Sequence, residues 1–180
     1  MKKLFLIFST MVFFSSLALA KQQEKPIFDL VDTNNQHIKI EHIDEGLHII
    51  GAEGKVVFIE FFGYRCPPCL RTIPHFINLK NKYKDKLEII SIEVQGLDQK
   101  QLQAFAKQKG INYHTVSDTN TGIFTNYIAQ RTQWEGVIPF LIILDQKGNA
   151  QVLQVGLIPQ NVLENVIDKL LYNKPLKSNK

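Results

Sequence analysis

Hydrophobic and polar positions along the chain first predict strands. Two runs in which apolar and polar residues alternate flank residues 33–36, and they predict a β-hairpin because successive side chains of a strand point to opposite faces. Nearly unbroken apolar runs at residues 55–62 and 87–94 predict strands that are buried on both faces. Gly46 and the glycines within residues 51–54 indicate a loop before the first buried strand.

Apolar residues with helical spacing follow each of the two buried strands. Apolar residues recur every three or four positions from Leu70 to about Tyr83, and Pro74 should kink this helix because it lacks a backbone N–H. A second helix is predicted to begin at Asp98 and to end at Gly110. The remaining predicted elements are a strand and a helix within residues 112–130, a hairpin within residues 140–155 and a final helix over residues 159–171.

Buried strands that alternate with helices predict an α/β fold, a three-layer sandwich with a mixed central sheet and helices on both faces. Residues 21–173 suffice for one domain with a single core. The formal net charge of +4 comes largely from Lys2, Lys3 and the three lysines of residues 174–180, which we expect to be a basic flexible tail. The body is therefore close to neutral, and no nucleic-acid partner is expected.

The first twenty residues have the pattern of a secretory signal peptide. Lys2 and Lys3 precede an apolar stretch, and Ala18 and Ala20 form the small-residue pattern of a signal-peptidase site. The apolar stretch from residue 4 to residue 20 is near the short limit for crossing a membrane, so an uncleaved anchor is the alternative. We predict cleavage after Ala20 and export to a bacterial periplasm.

The only two cysteines, Cys66 and Cys69, are separated by Pro67 and Pro68. A disulfide persists in an exported protein, but a loop this short removes little entropy from the unfolded chain, so stability is not the purpose of the pair. The pair instead points to redox chemistry or to metal binding. A closed zinc site needs four ligands, and the five histidines show no paired ligand spacing, so we predict no metal and no organic cofactor.

The predicted position of the pair, at the start of a helix after a buried strand, sets its chemistry. A sulfur at a helix N-terminus meets unpaired N–H groups that favour the thiolate, and Arg65 and Arg71 would act in the same direction if they face it. The two prolines remove two N–H donors and limit the effect. Cys66 is therefore predicted to be the exposed nucleophile, and Cys69 the more buried resolving thiol.

Glu60 is the only charged residue within residues 56–63. If it is buried, its carboxyl group has a raised pKa and can exchange a proton with Cys69 during attack. The alternative is an acid at a strand end that reaches water or pairs with a lysine. The lone tryptophan, Trp134, is either a cover over the site or a core or loop aromatic.

These motifs resemble the thioredoxin superfamily over nearly all of residues 21–173. The similarity rests on a strand, a C-x-x-C pair at a helix start, Pro74 five residues later, and Ile138-Pro139 before another strand. The N-terminal hairpin and the added strand and helix of residues 112–130 are most similar to its exported TlpA/ResA-type branch. The resemblance implies a thioredoxin-like fold and a cis peptide bond at Pro139.

The resemblance also implies site residues. Pro139 should lie against the cysteines and present the backbone of Ile138 to a substrate strand, and Glu60 should be the buried acid. We assign substrate binding to four residues near the nucleophile: Ile138, Arg65, Pro67 and Pro68. Arg65 departs from the family, which usually has tryptophan at that position, and this departure bears on substrate preference. A peroxiredoxin would need threonine where this chain has Gly63.

The function implied is that of a periplasmic thiol–disulfide oxidoreductase. We predict a monomeric disulfide reductase that acts on exported proteins and is re-reduced by a membrane electron donor; some members of the TlpA/ResA-type branch serve apocytochrome c maturation. Two alternatives stay open. One is a dithiol oxidase that runs the same chemistry in reverse, and the other is a copper- or zinc-binding carrier that uses Cys66 and Cys69.

Overall fold

The computed structural model describes residues 25–172, except for the side chain of Asn120. Over this part of the chain there are eight strands and four α-helices. The strands are β1 (Ile27–Val31), β2 (His37–Ile43), β3 (Gly46–Ile49), β4 (Val56–Phe62), β5 (Leu87–Glu93), β6 (His114–Ser117), β7 (Phe140–Leu144) and β8 (Ala150–Val155). The helices are α1 (Pro67–Tyr83), α2 (Gln99–Lys109), α3 (Gly122–Thr132) and α4 (Gln160–Tyr172). The signal peptide and the basic tail lie outside the described residues and remain predictions.

Five strands form the central sheet in the order β6-β5-β4-β7-β8. β4, β5 and β6 are parallel, whereas β7 runs antiparallel to β4 and β8 runs antiparallel to β7. The sheet is therefore mixed, as predicted. β4 lies at its centre with all seven residues buried, because both faces of the sheet are covered, and this explains why its sequence is apolar almost throughout.

Alternate side chains of β4 face two different layers. Phe58 packs with α1 and α4, and Phe62 packs on the same face with α2. Ile59 and Phe61 face the other layer, where α3 and a small N-terminal sheet cover them. Helices on both faces confirm the three-layer α/β sandwich. Since Glu60 lies between Phe58 and Phe62 in the alternation, it belongs to the face of α1, α2 and α4.

The N-terminal sheet has one strand more than the predicted hairpin. β1 and β2 pair antiparallel as predicted, and β3 continues the sheet in the order β1-β2-β3. The prediction of a loop at Gly46 is therefore wrong. Gly46 begins β3, where a Cβ atom would collide with the carbonyl oxygen of Gly148, so this glycine serves close packing. This strand has four residues and two buried apolar positions, Leu47 and Ile49. It is too short for its alternation of apolar and polar residues to be recognised in the sequence.

Asp32 ties the small sheet to the central sheet. Its buried carboxylate accepts hydrogen bonds from the backbone N–H groups of Asn34 and Gln36, each at 2.8 Å, and so closes the turn between β1 and β2. Its other oxygen lies 2.7 Å from Nδ1 of His114, at the start of β6. The residue after Asp32 also pairs with β6 through backbone and side chain, so the turn extends the edge of the central sheet.

The predicted ends of α2 are confirmed. The Asp98 carboxylate accepts a hydrogen bond from the backbone N–H of Gln101 at 2.8 Å, and the Gln101 side chain accepts one from the N–H of Asp98. Gly110 ends the helix in the left-handed conformation that glycine adopts without steric cost. The β6–α3 unit, the β7–β8 hairpin and α4 also form where the sequence predicted them.

Asp32→Ala should lower the free energy of unfolding by about 2–4 kcal/mol, because two turn N–H groups and His114 lose a buried charged acceptor. Urea unfolding would measure the loss. Asp29→Ala is the matched control: it removes an exposed β1 carboxylate that pairs with exposed His37, and should cost less than about 1 kcal/mol. Equal losses in the two variants would contradict the anchoring role of Asp32.

Candidate active site

The cysteine pair stands where β4 ends and α1 begins. Cys66 is the N-cap residue of α1, and Pro67 and Pro68 occupy the first two helical positions, where a missing N–H costs no intrahelical hydrogen bond. Cys69 follows one turn inside the helix and is joined to Cys66 by a disulfide. The backbone N–H of Cys69 points at the Cys66 sulfur, with nitrogen and sulfur 3.3 Å apart. The helix start therefore aims one donor at the sulfur predicted to carry negative charge.

The two cysteines differ in accessibility. Cys66 is 7% exposed and Cys69 is fully buried. Cys66 is thus nearer the surface than Cys69, as predicted. The prediction that Cys66 is exposed is wrong, because the structure buries most of it. Phe62 from β4 and Leu102 from α2 pack against the pair, and these apolar contacts account for its burial.

The loop before β7 lies against the cysteines. The Ile138–Pro139 peptide bond is cis, as the resemblance implied. The carbonyl oxygen of Ile138 lies 3.9 Å from the Cys66 sulfur. The carbonyl of Pro139 accepts a hydrogen bond from the N–H of Gly156 at 2.8 Å, which ties this cis-proline loop to the end of β8. The structure therefore brings together residues that lie more than seventy positions apart in the sequence.

Trp134 supports the cis-proline loop from the other face of the sheet. Its ring stacks on Phe140 with centroids 5.1 Å apart and contacts Phe61 at 4.7 Å. The indole N–H donates a hydrogen bond of 2.7 Å to the carbonyl of Val137, the residue before Ile138. The core interpretation of Trp134 is thus the correct one, with the addition that the ring braces the loop.

Of the other residues assigned to substrate binding, Arg65 and Pro67 are exposed and Pro68 is half-buried. The guanidinium carbon of Arg65 lies 4.8 Å from the centre of the Tyr64 ring, within the range of a cation–π contact. Arg71 is exposed on the second turn of α1. Arg65, which precedes Cys66 in the chain, therefore supplies a positive charge at the border of the site.

Glu93 holds the segment that leads into Cys66, a role that its place in the sequence did not predict. This fully buried carboxylate, at the end of β5, accepts hydrogen bonds from the backbone N–H groups of Gln95 at 2.9 Å and Leu97 at 2.8 Å. A longer bond of 3.4 Å comes from the N–H of Tyr64. One carboxylate thereby fixes the loops after both β4 and β5. Its sequence signal was an acid at the end of a buried apolar strand.

Gln95 completes this support. Its side-chain oxygen accepts a hydrogen bond of 2.9 Å from the backbone N–H of Arg65. Its side chain also fills the space beside Gly63 that a Cβ atom would occupy. A residue larger than glycine at position 63 would displace Gln95 and with it the segment before Cys66.

Glu60 is buried on the face of β4 that α1, α2 and α4 cover, and it is only 2% exposed. Its carboxylate accepts a hydrogen bond of 2.8 Å from the hydroxyl of Ser91 on β5. Burial raises the pKa of Glu60 to about 8, and the hydrogen bond from Ser91 opposes this only in part. The strand-end alternative is therefore wrong. Glu60 is a buried acid, two residues from Phe62, which packs against Cys69.

The described residues do not provide a complete metal site. Between residues 25 and 172, no group of three or more His, Cys, Asp or Glu side chains is placed to hold a metal ion. A metal bound by Cys66 and Cys69 would have to take its remaining ligands from outside the described His, Cys, Asp and Glu side chains.

Glu60→Gln should raise the free energy of unfolding at pH 8 and leave it nearly unchanged at pH 4. In the unfolded chain this carboxyl ionises near its ordinary pKa, whereas in the folded protein it keeps its proton up to about pH 8. The resulting loss of stability is absent below the unfolded pKa, grows between the two pKa values, and is constant above the folded one. At about 1.36 kcal/mol per pKa unit, the full difference is on the order of 3–5 kcal/mol.

Urea unfolding of the oxidised proteins at pH 4, 7 and 9 would measure this difference. Glu88→Gln is the control of opposite sign. Burial acts to raise the pKa of Glu88, but the ammonium groups of Lys80 and Lys55 outweigh it and lower the pKa, so this substitution should destabilise the protein at neutral pH. A stability difference between wild type and Glu60→Gln that is the same at all three pH values would contradict a buried acid.

Comparison with known proteins agrees with this geometry. The family model described as the AhpC/TSA family matches residues 22–152. The thiol-disulfide oxidoreductase ResA of Halalkalibacterium halodurans is 25% identical over 158 residues, which cover 87% of this chain and 81% of that protein. ResA of Bacillus subtilis is 23% identical over 158 residues, covering 87% of this chain and 79% of that protein.

Solved structures show the same fold. A thiol:disulfide interchange protein of the thioredoxin family from Chlorobium tepidum superposes with a TM-score of 0.64 at 20% identity, over 81% of this chain and 94% of that chain. StoA from Bacillus subtilis superposes with a TM-score of 0.57 at 17% identity, over 77% and 94% of the two chains. The chain therefore belongs to the AhpC/TSA family and is a thiol–disulfide oxidoreductase with a thioredoxin-like fold.

Proposed function

We propose that this enzyme is an exported disulfide reductase in which Cys66 is the nucleophile, Cys69 is the resolving thiol and Glu60 is the base for Cys69. One arrangement carries the proposal. Cys66 lies at the surface end of the pair beside the Ile138 carbonyl, and Cys69 is buried behind it. The buried carboxyl group of Glu60 has a pKa of about 8, and a proton acceptor works best when its pKa is close to the working pH.

The proposed reaction starts from the reduced enzyme. The Cys66 thiolate attacks one sulfur of a substrate disulfide, the substrate S–S bond breaks, and one substrate sulfur leaves as a thiolate. The Cys69 thiol then gives its proton to the Glu60 carboxylate and attacks the Cys66 sulfur of the mixed disulfide. This step forms the Cys66–Cys69 disulfide and releases the second substrate thiolate. Two electrons have passed to the substrate, whose two thiolates take up protons from solvent.

The surroundings of Cys66 fit a polypeptide substrate. The cis-proline loop holds the Ile138 carbonyl 3.9 Å from the Cys66 sulfur, where an extended substrate segment would pair with the backbone. The exposed Arg65 and Pro67 and the half-buried Pro68 border this point. The positive charge of Arg65 would favour substrates with acidic residues near the cysteine.

The proposed compartment and partners rest on the sequence and on the relatives. The pattern of residues 1–20 supports export to a periplasm. Within residues 25–172, no helix is long and apolar enough to cross a membrane. We propose that a membrane-bound dithiol donor returns two electrons to the Cys66–Cys69 disulfide, and that the enzyme works as a monomer. Its similarity to ResA proteins supports exported proteins as substrates, with apocytochrome c as the first to test.

Cys69→Ser should accumulate a mixed disulfide through Cys66, because the nucleophile attacks but nothing resolves the intermediate. Cys66→Ser should accumulate little, because Cys69 is fully buried. Incubation of each reduced variant with a disulfide-containing unfolded protein, followed by mass spectrometry of the adducts, would measure the difference. Equal trapping by both variants would show that the roles of the two cysteines are assigned wrongly.

The reduction potential should lie nearer about −270 mV, the value of thioredoxin, than about −120 mV, the value of the oxidant DsbA. Strong oxidants over-stabilise the reduced thiolate. Here Pro67 and Pro68 supply no N–H groups, and the N–H of Cys69 is the donor aimed at the Cys66 sulfur. Equilibration against glutathione buffers would give the value.

A potential near the DsbA end would contradict the reductase direction and favour the dithiol oxidase.

The metal-carrier alternative is tested separately, by titration of the reduced protein with zinc or copper in the presence of a thiol-reactive competitor. We expect the competitor to modify Cys66 at an unchanged rate in the presence of the metal.

A further inference from the structure

A row of polar side chains crosses the face of the central sheet that α1, α2 and α4 cover. Glu60 on β4 is paired with Ser91 on β5, and Ser91 is paired with Thr115 on β6. All three side chains are buried. Because paired residues of neighbouring strands share a face, the row leads from the middle of the sheet to its β6 edge. Elsewhere around Glu60 the neighbours on this face are apolar: Phe58 and Phe62 on the same strand and Leu141 on β7.

Tyr113 lies at the outer end of this row. Burial raises the pKa of its hydroxyl well above the usual range; the charge of Glu60 acts in the same direction, and the nearby Ser91 hydroxyl opposes them. Its ring packs edge-on against Phe76, with centroids 5.9 Å apart, which fixes its position. The Ser91 hydroxyl is therefore near both the Glu60 carboxylate, to which it donates at 2.8 Å, and the Tyr113 hydroxyl.

The row ends at a cavity of about 590 Å³ between α2 and the β6 edge. Tyr113 and Thr115 line it from the sheet side, and Lys100, Gln103 and Lys107 line it from α2. A cavity of this size with polar walls admits water. Polar side chains thus lead from Glu60 through Ser91 towards this cavity.

We propose that Ser91 and Tyr113 carry protons between the buried Glu60 carboxyl group and the cavity beside α2. The proposal rests on the proposed function, in which Glu60 serves as the base for Cys69. At neutral pH the carboxyl group holds its proton most of the time and accepts another only after it has released the first. The route returns Glu60 to the carboxylate form without opening the core.

The transfer balances as a sequence of proton shifts. The protonated Glu60 carboxyl donates its proton to the Ser91 oxygen, the Ser91 hydroxyl passes its own proton to the Tyr113 oxygen, and the Tyr113 hydroxyl passes its proton to water in the cavity. No bond between heavy atoms changes and no electrons move. The end state has a Glu60 carboxylate that accepts the hydrogen bond from Ser91, which is the arrangement seen in the structure.

The experiment follows the Glu60 proton directly in the oxidised protein, where neither cysteine titrates. A rapid pH jump from 6 to 10, followed by the infrared carbonyl band of the protonated carboxyl, gives the rate at which Glu60 loses its proton. Glu60→Gln identifies the band by removing it. Tyr113→Phe keeps the ring and deletes one hydroxyl, and Ser91→Ala deletes the other in case the first variant fails to fold.

Both relay variants should slow the loss of the proton by about tenfold or more, since it would then wait for local opening of the sheet edge. Deuterium oxide should slow the wild type, where proton transfer limits the rate, and should hardly affect the variants, where opening limits it. A small buffer such as imidazole, which can enter the cavity, should partly restore the rate in Tyr113→Phe. Tyr127→Phe, which deletes a tyrosine hydroxyl on α3, is the control and should behave as wild type.

The possible failures are distinguishable. If the band titrates near pH 8 but both relay variants lose the proton at the wild-type rate, the route is wrong and the proposed function stands. If a Thr115→Val variant is slowed while Tyr113→Phe is not, the proton leaves by a different branch and the assignment to Tyr113 is overturned. If the wild type has no titrating band that Glu60→Gln removes, both the buried base and its route are wrong.

Discussion

The position of both cysteines depends on the hydrogen bonds that the buried carboxylate of Glu93 accepts. Glu93 is paired with Phe62, the last residue of β4, in a parallel register, so the loops after the two strands leave the sheet at the same edge. Three backbone N–H groups from these two loops converge on one carboxylate. Hydrogen bonds to a charged acceptor are stronger than those between neutral groups. The start of α1, and therefore the N-cap position of Cys66, is built on this junction.

Two buried carboxylates on one sheet face have different surroundings and hence different uses. Glu93 has three backbone donors that cannot move away without unfolding a loop. Glu60 has a single hydroxyl donor, Ser91, within an apolar layer. Environment rather than residue type decides whether a buried acid anchors the backbone or exchanges a proton. The same sheet face thus provides both the rigidity that places Cys66 and the titrating group proposed to serve Cys69.

The sequence predicted those parts of the structure that depend on local pattern. The buried strands, the capped start of α2 and the position of the cysteine pair follow from neighbouring residues. The hydrogen bond from Tyr64 to Glu93 and the packing of Trp134 on Phe61 depend on contacts between distant segments, and no local pattern encodes them. The prediction for Gly46 was wrong because glycine signals both turns and close packing, and only the approach of Gly148 distinguishes them.

The residues that depart from local rules gather at one end of the sheet. Glu60 interrupts an apolar strand, and two prolines open a helix whose N-cap is a cysteine. Stability alone does not favour the first of these, because an apolar side chain at position 60 would bury without the penalty of an ionisable group. A fold whose total stability is only about 5–15 kcal/mol is sensitive to such a penalty. The concentration of these departures around Cys66 and Cys69 is the physical argument that this end of the sheet is built for chemistry.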